Sequence, residues 1–224
     1  MNPALRSSAA HVFVESIEAP SPSDDDLHHL VRVLRLRNGE RVTVSNGVGQ
    51  WRLTELRDTS LVPIGDVVTE PSGTQLTVAA AIPKGDRLEW MVQKLTELGV
   101  ARLVLVECTR SVVRWDAARA ARQLQRLQRV AREASMQSRR VWLPVIEGPA
   151  LFSAIVASGN VLLADPSGVD LGTLSVARDV TVAIGPEGGF TDEELASASQ
   201  VVSLGTLVLR VETAALVAAV RFLT

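Results

Sequence analysis

The chain has 224 residues, 46% of them hydrophobic, and a formal net charge of −2 at pH 7. That length accommodates one large domain or two small ones, and so apolar a composition excludes a disordered protein. No apolar run approaches the roughly 18 uncharged residues of a membrane helix, the opening MNPALRSSAAHVFVE lacks the apolar centre of a secretory signal, and the lone Cys108 excludes an internal disulfide, so the expectation is a cytoplasmic protein.

Residues 1–70 read as a small β-rich module with one helix. Short β-prone segments at 11–15, 40–46, 50–56 and 61–68 are separated by Pro, Gly, Asn and Asp signals. Between the first two, Ser23 and the aspartates after it suit a helix start. Leu27, Leu30, Val31 and Leu34 recur at helical spacing, and Gly39 suits the stop. The pair His28 and His29 invites a metal reading. With only His11 and one cysteine elsewhere, surface histidines fit better, because a zinc site needs three or four assembled ligands.

EPSGTQ, residues 70–75, reads as a linker. Beyond it the pattern alternates: strand 76–82, helix 86–98, strand 102–108, a long helix 116–138, strand 143–146, a short helix 151–157, strand 160–165, strand 181–185, helix 191–198, strand 201–205 and an apolar helix from Glu212. Such alternation predicts an α/β domain with a largely parallel sheet over 75–224.

Charge is unevenly spread. Residues 102–142 carry ten Lys and Arg against three Asp and Glu, a balance of +7, while residues 143–224 carry three against nine, a balance of −6. In the long helix Arg119, Arg122, Arg126 and Arg129 share one face and Ala120, Leu124, Leu127, Ala131 and Ala134 the opposite one. A solvated face would account for such arginines. Few acids lie near to pair with them, however, and Arg139, Arg140 and Trp142 follow, a pattern suited to phosphate oxygens and hence to RNA.

Three turns carry the candidate pocket. IGPEGGF, residues 184–190, has neither the Gly-Lys-Ser/Thr of a phosphate loop nor the spacing of a dinucleotide fingerprint. Its glycines let a ligand approach main-chain groups at the carboxyl edge of a sheet, where open α/β folds bind ligands, although an ordinary strand-to-helix turn has the same spacing. SLGTLVLRVETAA, from Ser203, brings Arg210 and Glu212 to the start of a helix that is apolar nearly all round, a sign of burial on every side and of contact with a second subunit. There Glu212 could simply complement the helix dipole with Arg210 as its partner. LLADPSG, residues 162–168, is the third turn.

IGPEGGFTDEE followed by LGTLVLRVETAA resembles the C-terminal signature of the RsmE-type methyltransferases. The likeness extends through HHLVRVLRLRNGERV, KGDRLEWMVQKLTELGV, TRSVVRW and EASMQSRRVWLPVI, nearly the whole chain in order. The chain departs from the pattern at SASQVV, which stands where Gly-Phe is usual, and at Val208, where isoleucine is common. The resemblance implies an N-terminal PUA-like β-barrel, residues 1–70, and a C-terminal SPOUT α/β domain with a trefoil knot, residues 75–224, working as a homodimer. It implies S-adenosylmethionine as cofactor, no metal, and methylation of uridine N3 in 16S rRNA of the small ribosomal subunit.

On that resemblance Ala164 from the first turn, Gly185, Pro186, Glu187 and Gly188 from the second, and Leu204, Gly205, Leu209 and Thr213 from the third hold the cofactor. Arg210 meets the charge that spreads over the uracil carbonyls as N3 loses its proton, and Glu187 or Glu212 serves as base or substrate orienter. Arg32 and Arg35 join Arg119, Arg122, Arg126, Arg129, Arg139 and Arg140 as RNA contacts. The rival readings are a non-catalytic RNA-binding assembly factor, which keeps the arginines and binds no cofactor, and a dinucleotide-dependent enzyme, for which LTVAAAIPKGD supplies no fingerprint.

Overall fold

The computed structural model describes residues 2–171 and 179–223. By its contacts the chain divides into a first unit, Met1–Gly73 with Arg132–Leu143, and a second, Thr74–Ala131 with Pro144–Thr224. The break near residue 73 lies in the expected linker, whereas 132–143, assigned by sequence to the second domain, groups with the first.

The first unit begins with a short helix that the sequence did not signal, α1 (Pro3–Ser7), where the Asn2 side chain accepts from the Ala4 amide at 2.9 Å and Leu5 is buried. Strands β1 (Ala10–Phe13), β2 (Arg41–Ser45), β3 (Gln50–Arg57) and β4 (Ser60–Pro63) form a sheet in that order, and β5 (Val68–Thr69) pairs with β3. The expected strand 61–68 is thus two strands. Helix α2 (Asp24–His28) starts where Ser23 caps the Asp26 amide and passes into a π-helical turn, His29–Val33. The Leu34 amide bonds to the His29 carbonyl, and the wider turn breaks the expected period: Leu30 is buried while Leu34 is 44% exposed.

Segment 132–143 is tied to the first unit by specific bonds. Arg132 reaches Asp26 at 2.7 and 3.0 Å and the Phe13 carbonyl at 3.2 Å, and Ser45 donates to the Val141 carbonyl. Burial pushes the Asp26 carboxyl up, but the Arg132 and Ser23 hydrogen bonds and the Arg132 charge outweigh it, so the group sits below its ordinary value.

The second unit is a sheet between two helical layers. Its elements are β6 (Gln75–Ala81), α3 (Arg87–Leu98), β7 (Arg102–Glu107), α4 (Ala117–Ser138), β8 (Val145–Leu151), α5 (Phe152–Ala157), β9 (Val161–Asp170), β10 (Asp179–Ile184), α6 (Asp192–Ala196), β11 (Gln200–Ser203) and α7 (Val211–Leu223), with the last turns of α4 belonging to the first unit. The strand order is β11-β9-β10-β6-β7-β8, every neighbouring pair parallel. Alternation along each strand feeds two cores: Val78, Leu103, Leu105 and Val182 pack with α3, α4 and α7, and Ala79, Val104, Val106 and Ala183 with α5 and Phe190. Each fully buried Leu or Val in these layers contributes about 1.5–3 kcal/mol.

His11 yields a test of the first unit. The side chain is 2% exposed, its Nδ1 lies 2.9 Å from the Thr43 hydroxyl, and burial together with the Arg139 charge pushes its pKa from 6.5 down to about 4. The native imidazole therefore stays neutral where the unfolded one charges. Its contribution is complete above pH 6.5 and is lost as pH falls from there towards about 4. Urea titrations should show stability falling by up to about 1.4 kcal/mol per pH unit across that window, and His11→Gln should flatten the dependence.

Candidate active site

The three turns singled out from sequence converge at the carboxyl ends of β9, β10 and β11. In the β9–β11 ladder Leu163 pairs with Val201 but the next pair is Val169 with Val202, so Ala164–Gly168 is pushed out of register as a wide bulge rather than forming the expected turn. Gly168 makes its return possible, because a Cβ there would lie 2.5 Å from the Val202 backbone. After β10, the Gly189 amide closes a tight turn on the Pro186 carbonyl at 2.8 Å. At Gly185 the space of the missing side chain is taken by the Phe190 ring, 3.0 Å from where a Cβ would stand. That glycine therefore serves packing within the loop, a role the sequence reading had not considered.

Together the turns enclose a cavity of about 280 Å³, near the lower bound of about 300 Å³ common for small-ligand sites. Ala164 lines it from the bulge, and Gly185, Pro186, Glu187 and Gly188 from the loop after β10. Leu204, Gly205 and Leu209 line it from the loop after β11, whereas Thr213 is exposed on α7 and lies outside the lining. Sequence reasoning missed Asp165, Pro166 and Phe190, which sit inside the quoted motifs, and Val211 and Ala214, three residues apart on the first turn of α7.

A second set of residues braces the loop after β10. Arg110, beyond β7, donates to the Gly188 and Phe190 carbonyls, both at 3.0 Å. Glu194 completes a capping box with Thr191 and accepts from the Thr109 amide at 2.8 Å. The only available signal for this bracing was TRSVVRW, residues 109–115, noted for resemblance alone. Cys108 lies beneath; burial and then the Glu194 charge push its thiol up to about 12, so it is inert as a nucleophile near neutral pH.

The three residues named for catalysis stand apart. Glu187 is exposed at the cavity wall, and Arg210 is exposed between the lining residues Leu209 and Val211. Glu212 is 6% exposed and does not line the cavity; its Oε1 lies 3.4 Å from Arg87 Nε at the start of α3.

The arginines divide. Arg119, Arg122 and Arg129 are exposed on α4, with Arg119 stacked 6.0 Å from the Trp115 ring centroid. Arg126 pairs with Glu89 at 2.8 Å, a partner one helix away that the count of nearby acids had missed. Arg139 donates to the Ser8 and Ala9 carbonyls within the first unit, and burial lowers Arg140 to about 10, still protonated near neutral pH. Arg32 and Arg35 are exposed on and just beyond the π turn. His28 and His29 are exposed, and among the described residues no three His, Cys, Asp or Glu gather as metal ligands.

The RNA methyltransferase domain family matches residues 70–222 and the RNA methyltransferase PUA domain family residues 22–60. Ribosomal RNA small subunit methyltransferase E of Mycobacterium tuberculosis is 33% identical, covering 87% of this chain and 82% of the relative; that of Bacillus subtilis is 28% identical, covering 90% and 89%. Among solved structures, a putative methyltransferase of Legionella pneumophila in complex with bound SAM superposes with a TM-score of 0.82 at 28% identity, covering 95% of this chain and 96% of that one. The ribosomal RNA small subunit methyltransferase E of Neisseria gonorrhoeae bound to S-adenosyl methionine gives 0.83 at 26% identity, covering 94% and 95%. The fold is mixed α/β with a PUA-like N-terminal domain. A family match across most of the chain, on top of a relative one-third identical along nearly its full length, decides the lineage: this chain belongs to the ribosomal RNA small subunit methyltransferase E family of RNA methyltransferases.

Proposed function

We propose that this chain transfers a methyl group from S-adenosylmethionine to N3 of a uridine in 16S rRNA of the small ribosomal subunit. The observation that carries the reading is the cavity at the rim of the second sheet, in a chain of this family. Its walls suit such a donor. Main-chain groups of 185–189 and 204–205 are available to an adenine edge, aliphatic side chains flank them, and no Lys, Arg or His among the described residues lines the cavity to attract a nucleotide phosphate. When bound, S-adenosylmethionine supplies a methyl carbon on a sulfonium, which leaves its bonding electron pair on sulfur.

The protein must align that carbon with N3 and handle one proton. Arg210, beside the lining residues Leu209 and Val211, meets the negative charge that spreads over the uracil oxygens as N3 deprotonates. Glu187, exposed on the wall, is free to take the proton directly or through water. Glu212 is buried against Arg87 and serves to anchor the start of α7. N3 lies on the pairing edge, so the target is single-stranded or flipped.

The finer architecture belongs to the same proposal: a PUA-like barrel over 1–70 and a knotted SPOUT domain over 75–224. The insertion of β10 between β9 and β6 supports the second. A cytoplasmic location and a reaction without metal are part of the same proposal; no helix among the described residues is long and apolar enough to cross a membrane. The largely apolar sequence of α7 (Val211–Leu223) supports a homodimer. Arg119, Arg122 and Arg129 on the second unit, and Arg32 and Arg35 on the first, are the proposed RNA contacts, with the paired Arg126 and the internally bonded Arg139 and Arg140 in lesser roles.

Three measurements check this. Purified protein with labelled donor and small ribosomal subunits should yield N3-methyluridine on nuclease digestion, and label on any other base overturns the reaction. Arg210→Ala should lower kcat by about 10²–10³ with cofactor affinity nearly unchanged, while Arg110→Ala, by freeing the Gly188 and Phe190 carbonyls, should weaken cofactor affinity more than kcat. Combining Arg119→Ala, Arg122→Ala and Arg129→Ala should reduce the salt slope of RNA binding by about 2, and an unchanged slope would return α4 to a solvated surface.

A further inference from the structure

The cavity carries a carboxylate, Asp165, that the reaction scheme above does not use. Its titratable lining residues are Asp165 and Glu187, with no basic side chain among the described residues lining it. Arg110, the nearest cation bracing the loop, is spent on two carbonyls. The two carboxylates differ in setting. Glu187 is exposed on a tight turn, where water and salt screen it. Asp165 is half-buried in the bulge, its Oδ1 accepting from the Ser167 amide at 2.9 Å and the Ser167 hydroxyl at 2.7 Å, and neither bond uses Oδ2.

We propose that Asp165, oriented by Ser167, is the residue by which this cavity tells the positively charged methyl donor from its neutral thioether product. The inference rests on the cofactor reading above and adds a specificity residue to it. The donor carries a sulfonium and an ammonium against one carboxylate, a net charge of +1. When the methyl–sulfur bond breaks and its electron pair stays on sulfur, the methyl passes to N3, and the thioether product left behind has a net charge of zero. An anion held in a partly desolvated wall attracts the first and gains nothing from the second. Aliphatic walls and main-chain hydrogen bonds grip the adenosine of both alike. The carboxylate therefore favours donor over product and lets the product leave once the charge is gone, which uniform binding would not do. Gly168, which brings the bulge back to β11, keeps this carboxylate at the cavity wall.

Calorimetric titration of the full chain with S-adenosylmethionine, S-adenosylhomocysteine and sinefungin, whose protonated amine replaces the sulfonium, tests this without turnover. Asp165→Asn should weaken the two cationic ligands about tenfold, equivalent to about 1.4 kcal/mol, while S-adenosylhomocysteine changes less than twofold and so serves as the control for folding. Ser167→Ala should fall between the two proteins, and Glu187→Gln should shift the cation preference less than Asp165→Asn does. Equal weakening of all three ligands by Asp165→Asn, as a contact to the ribose hydroxyls would give, overturns the inference and leaves the cofactor reading standing. So does a larger loss of preference in Glu187→Gln. Failure of the unsubstituted protein to bind any of the three overturns the cofactor reading and this inference with it.

Discussion

The site depends on β10 being hydrogen-bonded in parallel on both sides. Its register sets Ile184 opposite Ala164 of β9 and opposite Ala80 of β6, so the carboxyl ends of neighbouring strands finish at one level. Parallel strands send their next segments off the same edge, and loops far apart in sequence, near 164, 185 and 204, are neighbours for that reason alone. The bulge in β9 then converts a strand into a wall. Had Leu163 to Val169 continued in register with β11, Asp165 and Pro166 would lie in the ladder instead of lining the cavity.

Holding such a rim open to a ligand requires that its loops not collapse into it, and the bonds that prevent this come from behind. Arg110 draws the Gly188 and Phe190 carbonyls towards the end of β7, and Glu194 ties α6 to the same place through the Thr109 amide. Phe190 plugs the core beneath, against Phe152 at 5.3 Å between centroids. On the other face Glu212 meets Arg87, which joins the start of α7 to the start of α3. The two Arg110 bonds are charge-assisted, and with the Glu194 bond they favour one conformation of the glycine-rich turn before any ligand arrives.

Much of this was legible in the residues. Strand alternation and the run of apolar strands between helices indicated the order of elements in the second unit, and Ser23 marked a helix start in the first, because each is a local signal with a local cause. The three turns were legible as candidates for the same reason. What escaped depends on partners distant in sequence. Arg139 looks like a surface cation until the Ser8 and Ala9 carbonyls are seen to bind it, Arg126 looks unpaired until α3 brings Glu89 beside it, and Glu212 looks like a pocket acid until Arg87 claims it. The π turn at His29–Val33 and the grouping of 132–143 with the first unit have no local pattern either. The grouping follows from the Asp26–Arg132 pair and from Val141 and Leu143 bonding to the strands and turn at 45–47.

The sign of charge is partitioned with position. An enzyme acting on RNA faces a polyanion whose phosphates outnumber its target base, and a basic cavity would trap phosphate where the donor belongs. Here Arg119, Arg122 and Arg129 are exposed on α4, while Asp165 and Glu187 are the charged residues that line the cavity, with Arg210 exposed beside it. On the proposed reading, long-range attraction from these arginines raises the local concentration of nucleic acid, while the carboxylates of the cavity disfavour a phosphate inside it, so that an uncharged base enters at less cost. The net charge of −2 for the whole chain conceals the basic stretch 102–142 and the acidic stretch 143–224. Near neutrality therefore reflects charges of both signs held in separate stretches of the chain, which act on a ligand locally and not through their total.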